Sequence, residues 1–311
     1  MDDPHHNGVL GAIGGTPLVR LARVVPDGSA QVWLKFELAN PTGSYKDRMA
    51  LAMIEGAERR GDLRPGMTVV EYTGGSTGSS LAFVCAVKGY PLRIVTSDAF
   101  AVEKLRTMEA LGAHLTVIPS EGGMITPGLL PRLIAEAERI RDTEGAHWTD
   151  QFNNTDSVEG YRRIGDELLE QLPGPVDAFC GGVGTAGMLM GVARALREAG
   201  SSARIVALEP GGSPVISTGA GGAHHVEGLG VGFVPPLLAL GGHDEVRAVD
   251  ERHARAMARR LAREEGVFAG TSTGLNVVGA LQLAAELGTG RNVVTVACDT
   301  GLKYLQGDLY G

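Results

Sequence analysis

Three glycine-rich segments of the chain could each bind an anionic group. They are residues 73–78 (TGGSTG), 182–187 (GVGTAG) and 270–274 (GTSTG), and each follows a strand-like run or opens a helical pattern. The first N–H groups of a helix lack partners and its dipole is positive there, so a phosphate or carboxylate is favoured. One such loop is often only a tight turn, but three in one chain indicate a ligand with several anionic parts.

Lys46 has a side chain that could bond covalently to an aldehyde. It lies in the segment 40–48 (NPTGSYKDR), where residues 40–43 are turn formers and Ser44 can cap a helix. Near the positive end of a helix the neutral amine is favoured over the ammonium, and imine formation requires the neutral amine. A lysine in a first helical turn is usually only a solvated charge, so its surroundings decide.

The second glycine-rich loop also fits a different chemistry. Gly182, Gly184 and Gly187 match the G-x-G-x-x-G fingerprint of dinucleotide binding, and Glu209 follows after about 20 residues at the end of the next predicted strand. This pattern alone predicts an NAD-dependent oxidoreductase. The same geometry holds a single phosphate equally well, so the spacing leaves both hypotheses open.

Aliphatic runs alternate with helical patterns along most of the chain, which is typical of βαβ units and a mainly parallel sheet. Helices are predicted at 44–61, which ends at Gly61, and at 126–145, whose prolines favour its first turns. Two more, 156–172 and 251–266, carry charges typical of solvated faces. The predicted strands are 67–72, 92–97, 114–119, 176–182, 203–209 and 292–298.

The composition excludes several classes of protein. With 311 residues, 43% hydrophobic and 21% charged, and a formal net charge of -8, the chain is globular and lacks the basic surface that binds nucleic acid. No stretch reaches the roughly 18 apolar residues of a membrane span, so no membrane insertion is expected. The eight histidines have no metal-ligand spacing, so no metal is expected. The cysteines, which lie in apolar runs typical of buried thiols in a reducing cytoplasm, are Cys85, Cys180 and Cys298.

Seven motifs follow one another along nearly the whole chain. They are GGTPLVRL at 14–21, KFELANPTGSYKDR at 35–48, TGGSTG at 73–78, GTAG at 184–187, EGLGVGFVP at 227–235, GTSTG at 270–274 and DTGLKYLQGDL at 299–309. Together and in this order they resemble the cysteine synthase and cystathionine β-synthase group of fold type II pyridoxal-phosphate enzymes. Any one match would be weak, but seven ordered matches are highly specific.

The resemblance implies a role for each matched residue. Lys46 would hold the aldehyde of pyridoxal 5'-phosphate as a Schiff base and, once freed by the incoming amino acid, take the α-proton. Ser272 would hydrogen-bond the pyridine nitrogen. The residues implied for the phosphate loop are Gly184, Thr185, Ala186, Gly187 and Met188. The residues implied around the substrate carboxylate are Thr73, Gly74, Ser76, Thr77 and Gln151.

The chain departs from the pattern of that group at three positions. Ser76 stands where an Asn usually lies beside the phenolic oxygen of the cofactor, and Gly74 stands where a Ser is common. Met188 stands where a hydroxyl residue often completes the phosphate loop, which removes a hydrogen bond worth about 1 to 2 kcal/mol. Two of the three departures lie in the loop that the resemblance implies for the amino acid, so they leave the identity of the substrate open.

The implied reaction is β-replacement on an O-activated serine. A neutral hydroxyl at Ser272 makes the pyridine ring a weaker electron sink than a carboxylate would, which favours rapid loss of a β-leaving group. The leading expectation is a cysteine synthase that converts O-acetylserine and sulfide to cysteine and acetate through an aminoacrylate. A synthase of cystathionine, 2,3-diaminopropionate or an O-substituted serine is the alternative. An NAD-dependent oxidoreductase and a non-catalytic binding homologue are weaker ones.

The expected fold is α/β, with two lobes as in the tryptophan synthase β chain, mainly parallel sheets, and the cofactor in the cleft between the lobes. Residues 38–147 would form the smaller lobe, with the Schiff-base lysine and the substrate loop. Residues 1–37 and 148–311 would form the larger lobe, with the phosphate loop and Ser272. The resemblance also implies a cytoplasmic homodimer that acts on small molecules.

Overall fold

Ten strands form two separate sheets within residues 8–124 and 128–311, the part of the chain that this computed structural model describes. The strands of the smaller sheet are β3 (Val69–Tyr72), β4 (Leu92–Ser97), β5 (His114–Ile118) and β6 (His147–Trp148). Those of the larger sheet are β1 (Leu18–Arg20), β2 (Gln31–Lys35), β7 (Ala178–Gly182), β8 (Arg204–Pro210), β9 (Glu245–Val249) and β10 (Asn292–Val296).

The strand order confirms the expected α/β fold with mainly parallel sheets. The larger sheet has the order β1-β2-β10-β7-β8-β9, and the smaller has the order β5-β4-β3-β6. Strand β1 pairs antiparallel with β2, whereas the other ladders of the described strands are parallel. The smaller sheet therefore lies within 69–148, and the larger sheet combines strands from both sides of it in the chain. The lobe boundaries at 38 and 147 stay predictions.

All six predicted strands are present, to within two residues at most ends. The prediction missed β1 and β6, which are only three and two residues long. It also missed β2 and β9, whose short runs QVWLK and EVRAV include charged residues. Lys35, at the end of β2, is fully buried and forms an ion pair with Glu167. A tertiary contact thus stabilises a lysine in a position where core strands rarely contain one.

The helices of the described residues fill the positions between the strands. The helix predicted at 44–61 ends at Gly61, whose φ of 78° is the left-handed cap that glycine favours. The helix predicted at 126–145 would begin with residues 126 and 127, which lie outside the described residues. The helices are α1 (Lys46–Arg60), α2 (Ser76–Lys88), α3 (Val102–Ala110), α4 (Leu129–Glu144), α5 (Asp156–Gln171), α6 (Gly187–Glu198), α7 (Val215–Thr218), α8 (Glu251–Arg260, with a π-helical turn over Leu261–Glu265) and α9 (Thr271–Leu287).

The central strands are buried on both faces, as parallel strands covered by helices must be. Every residue of β3 and of β7 is buried. Two of the glycine-rich segments, 73–78 and 182–187, directly follow these strands and lead into α2 and α6. Ligands of open α/β sheets bind at this carboxyl edge, so the fold brings both loops to the expected kind of position.

The three cysteines are buried and reduced, as their apolar runs predicted. Cys85 lies in α2 and Cys180 in β7, and Cys298 follows β10. None of the helices among the described residues combines the length and the apolar character that crossing a membrane requires.

Candidate active site

Lys46 is the first residue of α1, and backbone bonds fix it against the chain that follows β10. The N–H of Tyr45 donates to the carbonyl of Cys298 at 3.0 Å, and the N–H of Thr300 donates to the carbonyl of Gly43 at 2.9 Å. These two bonds connect the turn before α1 to the segment that follows β10. The position of the amine therefore depends on both parts of the chain.

The side chain of Lys46 is buried, with 8% of its surface exposed. Within the described residues its Nζ has neither a hydrogen-bond acceptor nor a carboxylate partner, and it lies 5.1 Å from the centre of the Tyr45 ring. Burial lowers the pKa of Lys46 to about 8, although electrostatic interactions with Cys298, Asp299 and Glu71 oppose the shift. At pH 7 about a tenth of this amine is then unprotonated and able to attack a carbonyl group, far more than for an exposed lysine.

The loop 184–187 presents three backbone donors that have no acceptor among the described residues. The N–H groups of Gly184, Thr185 and Ala186 are buried and donate to no atom of the described residues. Ala186 has a φ of 69°, a left-handed conformation that is costly for a residue with a side chain. Consecutive N–H groups that surround a left-handed residue form a concavity for anions. An anionic group would satisfy these buried donors, as a phosphate does.

The same loop is tightly enclosed. A Cβ added to Gly184 would lie 2.2 Å from the carbonyl oxygen of Gly228, so this position accepts only glycine. The side chain of Met188 is buried and points towards Gly181, where its Cε would lie 2.6 Å from an added Cβ. Met188 therefore contributes backbone to the loop, and its side chain belongs to the core.

The ring of Tyr161 lies between the loop 184–187 and Tyr45, the residue before Lys46. It lies 5.3 Å from the ring of Tyr45, measured between centroids. Two of its ring atoms lie 3.4 Å from the position of a Cβ on Gly187. One fully buried aromatic ring thus contacts the residue before the lysine and the last residue of the loop.

The carboxylate of Glu209 is not available for a dinucleotide. It accepts hydrogen bonds from the N–H of Ile216 at 2.7 Å and from the N–H and the hydroxyl of Ser217 at 3.1 and 2.5 Å. These groups belong to α7, so Glu209 holds the start of that short helix. In a dinucleotide site the equivalent acid must instead bind a ribose.

Ser272 is a buried residue in the first turn of α9, beside Cys298. Burial raises the pKa of the Cys298 thiol to about 12, while the Ser272 hydroxyl and Lys46 lower it by smaller amounts. The N–H of Cys298 donates to the hydroxyl of Thr273 at 3.0 Å. Ser272 and Lys46 thus both influence the same thiol, which is neutral near neutral pH and also accepts a hydrogen bond from Asn276 Nδ2 at 3.2 Å.

The predicted substrate residues meet where β3 ends and α2 begins. The Thr77 hydroxyl donates to Gln151 Oε1 at 2.8 Å, and Gln151 Nε2 donates to the carbonyl of Tyr72 at 3.2 Å. The N–H of Gly75 donates to the Thr73 hydroxyl at 3.1 Å. Gln151 therefore lies beside the loop, although it is 74 residues away from Thr77 in the sequence.

Glu71 fixes this arrangement, and the sequence analysis missed it. Its buried carboxylate accepts from the Thr149 hydroxyl at 2.7 Å and from the N–H of Gln151 at 3.0 Å. Burial raises the pKa of Glu71 to about 7, against the lowering effect of these hydrogen bonds. An acid at the end of an apolar strand next to a glycine-rich loop was the signal that could have identified it.

Three further polar residues near the start of α2, Lys303, Asp299 and Lys104, were not predicted to act in the site. Lys303 Nζ donates to the Ser76 hydroxyl at 3.0 Å, and Ser76 donates to Asp299 Oδ2 at 3.3 Å. Lys104 of α3 forms an ion pair with Glu227. Lys303 and Asp299 lie in the motif at 299–309, which was identified as a landmark, but its sequence gave no indication of what these side chains contact.

Asp47 and Arg48, which adjoin Lys46, have structural partners in the fold. Asp47 accepts from the N–H and the hydroxyl of Thr42 at 2.8 and 2.5 Å. Arg48 pairs with Glu37 and Glu167, both at 2.7 Å. Successive helical side chains point about 100° apart, so each reaches a different partner, and both serve to fix the turn before Lys46.

The chain belongs to a family of pyridoxal-phosphate dependent enzymes, whose profile matches residues 9–299. It is 43% identical over 300 residues to a cysteine synthase of Staphylococcus aureus (strain Mu50 / ATCC 700699), which covers 96% of this chain and 95% of the relative. The cofactor of the family is the one that the resemblance implied.

Solved structures show the same fold. A cysteine synthase from Entamoeba histolytica superposes with a TM-score of 0.91 at 32% identity, over 97% of this chain and 90% of that one. An O-ureido-L-serine synthase superposes with a TM-score of 0.89 at 37% identity, over 97% and 94% of the two chains. Both have the fold type II architecture that the motifs predicted.

Proposed function

We propose that this chain catalyses β-replacement on an O-activated serine, with O-acetylserine and sulfide as the leading substrates and cysteine and acetate as products. The observation that carries the proposal is the amine of Lys46, which is buried, has a pKa of about 8, and lacks an acceptor among the described residues. A buried lysine without a partner is costly, so such a residue indicates a functional role. The identity to cysteine synthases supports the substrate assignment.

The residues present fit pyridoxal 5'-phosphate. Lys46 would hold its aldehyde, and the three N–H groups of residues 184–186 would donate hydrogen bonds to its phosphate. When bound, the cofactor supplies an electron sink that acidifies the α-hydrogen of the amino acid. The neutral hydroxyl of Ser272 lies beside Cys298 and is suited to a hydrogen bond with an unprotonated ring nitrogen.

Lys46 would also move the proton. Once its amine is released, it is a buried base with a pKa near 8, matched to removal and return of a proton near neutral pH. The start of α2 would hold the carboxylate of the amino acid through backbone N–H groups and the Thr77 hydroxyl. For this, Thr77 turns its hydrogen from Gln151 to the ligand.

A second candidate is synthesis of an O-substituted serine. The likeness to an O-ureido-L-serine synthase, at 37% identity, favours it, and so does Gly74, because this loop would contact the amino acid. A non-catalytic homologue fits less well, since Lys46 is retained in a buried position. The cleft as the cofactor position, the two lobe boundaries, the homodimer and the cytoplasmic location stay part of this proposal.

A spectral screen of amino acids tests the proposal. Adding O-acetylserine to the purified, coloured protein should shift its visible band, and sulfide should then return the spectrum as cysteine and acetate are released. If O-phosphoserine or serine shifts the band and O-acetylserine does not, the substrate assignment is wrong and the reaction class remains. A protein that shows no band with pyridoxal 5'-phosphate would overturn the function as a whole.

A further inference from the structure

Lys303 links the larger sheet to the loop that opens α2. It lies in the single turn of 3-10 helix at Gly301–Tyr304, after β10, and its Nζ donates to the Ser76 hydroxyl at 3.0 Å. Ser76 is the first residue of α2 and is 227 positions away in the sequence. One hydrogen bond thus connects parts of the chain that carry different portions of the candidate site.

The chemistry of this bond fixes the role of the serine. An ammonium group has three donors and no acceptor, so the Ser76 oxygen must accept from Lys303. The hydroxyl of Ser76 has one hydrogen, which is then available only for donation to a third atom. In the structure that atom is Asp299 Oδ2 at 3.3 Å, well beyond the usual 2.7 to 2.8 Å of an O–H···O bond. Ser76 is therefore a donor that is only weakly engaged.

The charge of Asp299 favours the charged form of Lys303. The Tyr304 hydroxyl donates to Asp299 Oδ2 at 2.9 Å, while Asp299 Oδ1 is buried without a hydrogen-bond partner among the described residues. Burial raises the pKa of Asp299, and the charges of Lys303 and Lys104 lower it. Burial lowers the pKa of Lys303, and Asp299 and Asp47 raise it. Each group thus stabilises the charged form of the other.

We propose that Lys303 is a positioning residue that fixes the Ser76 hydroxyl as a hydrogen-bond donor to an anionic oxygen of the bound ligand, with its ammonium group directly behind. The inference rests on the proposed function. The first N–H groups of α2 add positive potential at the same place. Two oxygens share the required chemistry: the phenolic oxygen of pyridoxal 5'-phosphate and the carboxylate of the amino acid.

Three variants separate this role from a structural one. Lys303→Met removes the charge at similar length, Ser76→Ala removes the hydroxyl, and Lys303→Arg keeps a cationic donor. Lys88→Met is the matched control, since Lys88 lies at the far end of α2 and pairs with Glu58. Thermal unfolding identifies any variant that is not folded, and the remaining variants then test the inference.

Two measurements on the cofactor-bound protein distinguish the two oxygens. The first is the absorption spectrum at fixed pH without amino acid. If the phenolic oxygen is the acceptor, Lys303→Met and Ser76→Ala move intensity from the visible band to a shorter wavelength. The second is the dissociation constant for O-acetylserine from a spectral titration. If the carboxylate is the acceptor, the spectrum without amino acid is unchanged and this constant rises roughly tenfold.

In either case Lys303→Arg keeps the spectrum and the dissociation constant close to those of the wild type, and Lys88→Met changes neither. Wild-type-like spectra and dissociation constants in both Lys303→Met and Ser76→Ala would overturn the inference and leave the proposed function intact. A wild-type protein that binds no pyridoxal 5'-phosphate would overturn both, so the two failures are distinguishable.

Discussion

The ring of Phe100 lies directly on the backbone of Gly74. A Cβ built on Gly74 would stand 2.0 Å from Cγ of Phe100 and 2.2 Å from Cδ1 and Cδ2, distances that no packed structure allows. Phe100 also packs against the buried cluster that includes Tyr72 and Phe152. The Phe100 ring can occupy this place only because residue 74 is a glycine without a Cβ. This pairing gives a physical reason for one departure from the family pattern.

Gly74→Ser should displace either Phe100 or the loop, and so lower kcat/KM roughly tenfold or more, because small misplacements in a site have large effects. Adding Phe100→Ala should recover most of the loss, since it removes the atoms that clash. A double-mutant cycle on kcat/KM measures this coupling. Additive losses in the two variants would show that the residues act independently.

Gly184→Ala should abolish tight binding of the cofactor while the protein still folds. The new methyl group would meet the carbonyl of Gly228, which belongs to backbone and cannot move aside cheaply. Gly128→Ala is the control, since a Cβ there meets nothing within 4 Å. Titration with pyridoxal 5'-phosphate, followed by absorbance, gives both affinities. Equal affinities would contradict the assignment of 184–187 as the phosphate loop.

Glu71→Gln should destabilise the protein by about 1 to 3 kcal/mol, because the amide brings hydrogens to a site where several donors converge. It should also weaken binding of the amino acid, since Glu71 orients Gln151. Denaturant unfolding and a spectral titration measure the two effects. Glu109→Gln, on an exposed face of α3, should change stability by less than about 0.5 kcal/mol. Similar values for both variants would rule out the positioning role.

Acid should destabilise the turn before Lys46 through Glu167. Burial alone would raise the pKa of Glu167, but Arg48 and Lys35 lower it to about 2. A folded-state pKa below that of the unfolded chain means that the stabilisation is present above about pH 4.5 and is lost as the pH falls towards 2. Glu167→Gln should lower stability at pH 7 by roughly 2 kcal/mol and flatten the acid limb. An unchanged acid limb of the unfolding free energy would refute this.

The pH dependence of cofactor capture reports on Lys46 itself. With a pKa of about 8, its neutral fraction increases several-fold from pH 7 to pH 8 and levels off near pH 9. The rate at which protein stripped of cofactor binds pyridoxal 5'-phosphate should follow this curve. A rate that keeps rising to pH 10 would indicate an ordinary exposed lysine.

Local sequence patterns predicted the parts of the fold that depend on local contacts. The aliphatic runs of β3 and β7 are buried on both faces, and the glycine that ends α1 adopts the conformation that only glycine adopts easily. Strands β2 and β9 could not be predicted in this way. They owe their place to pairing with β10 and β8, and their charged residues are compensated by partners far away in the sequence.

The candidate site divides along the same line. The glycine-rich loops and Lys46 could be proposed from the sequence because each lies in a short motif of consecutive residues. The contacts of Phe100 with Gly74 and of Lys303 with Ser76 could not, since each depends on how two distant segments fold together. The partners of Arg48 could not be predicted either, since Glu37 and Glu167 are 11 and 119 positions away from it in the sequence.

In the proposed function the amine of Lys46 carries the cofactor. Reduction of the purified, cofactor-bound protein with borohydride, followed by digestion and mass spectrometry, tests it most directly, because hydride converts a lysine imine into a stable secondary amine. We predict the pyridoxyl phosphate mass on the peptide that contains Lys46, and none on peptides that contain Lys104 or Lys303. A label on another lysine, or no label on a coloured protein, would contradict the account.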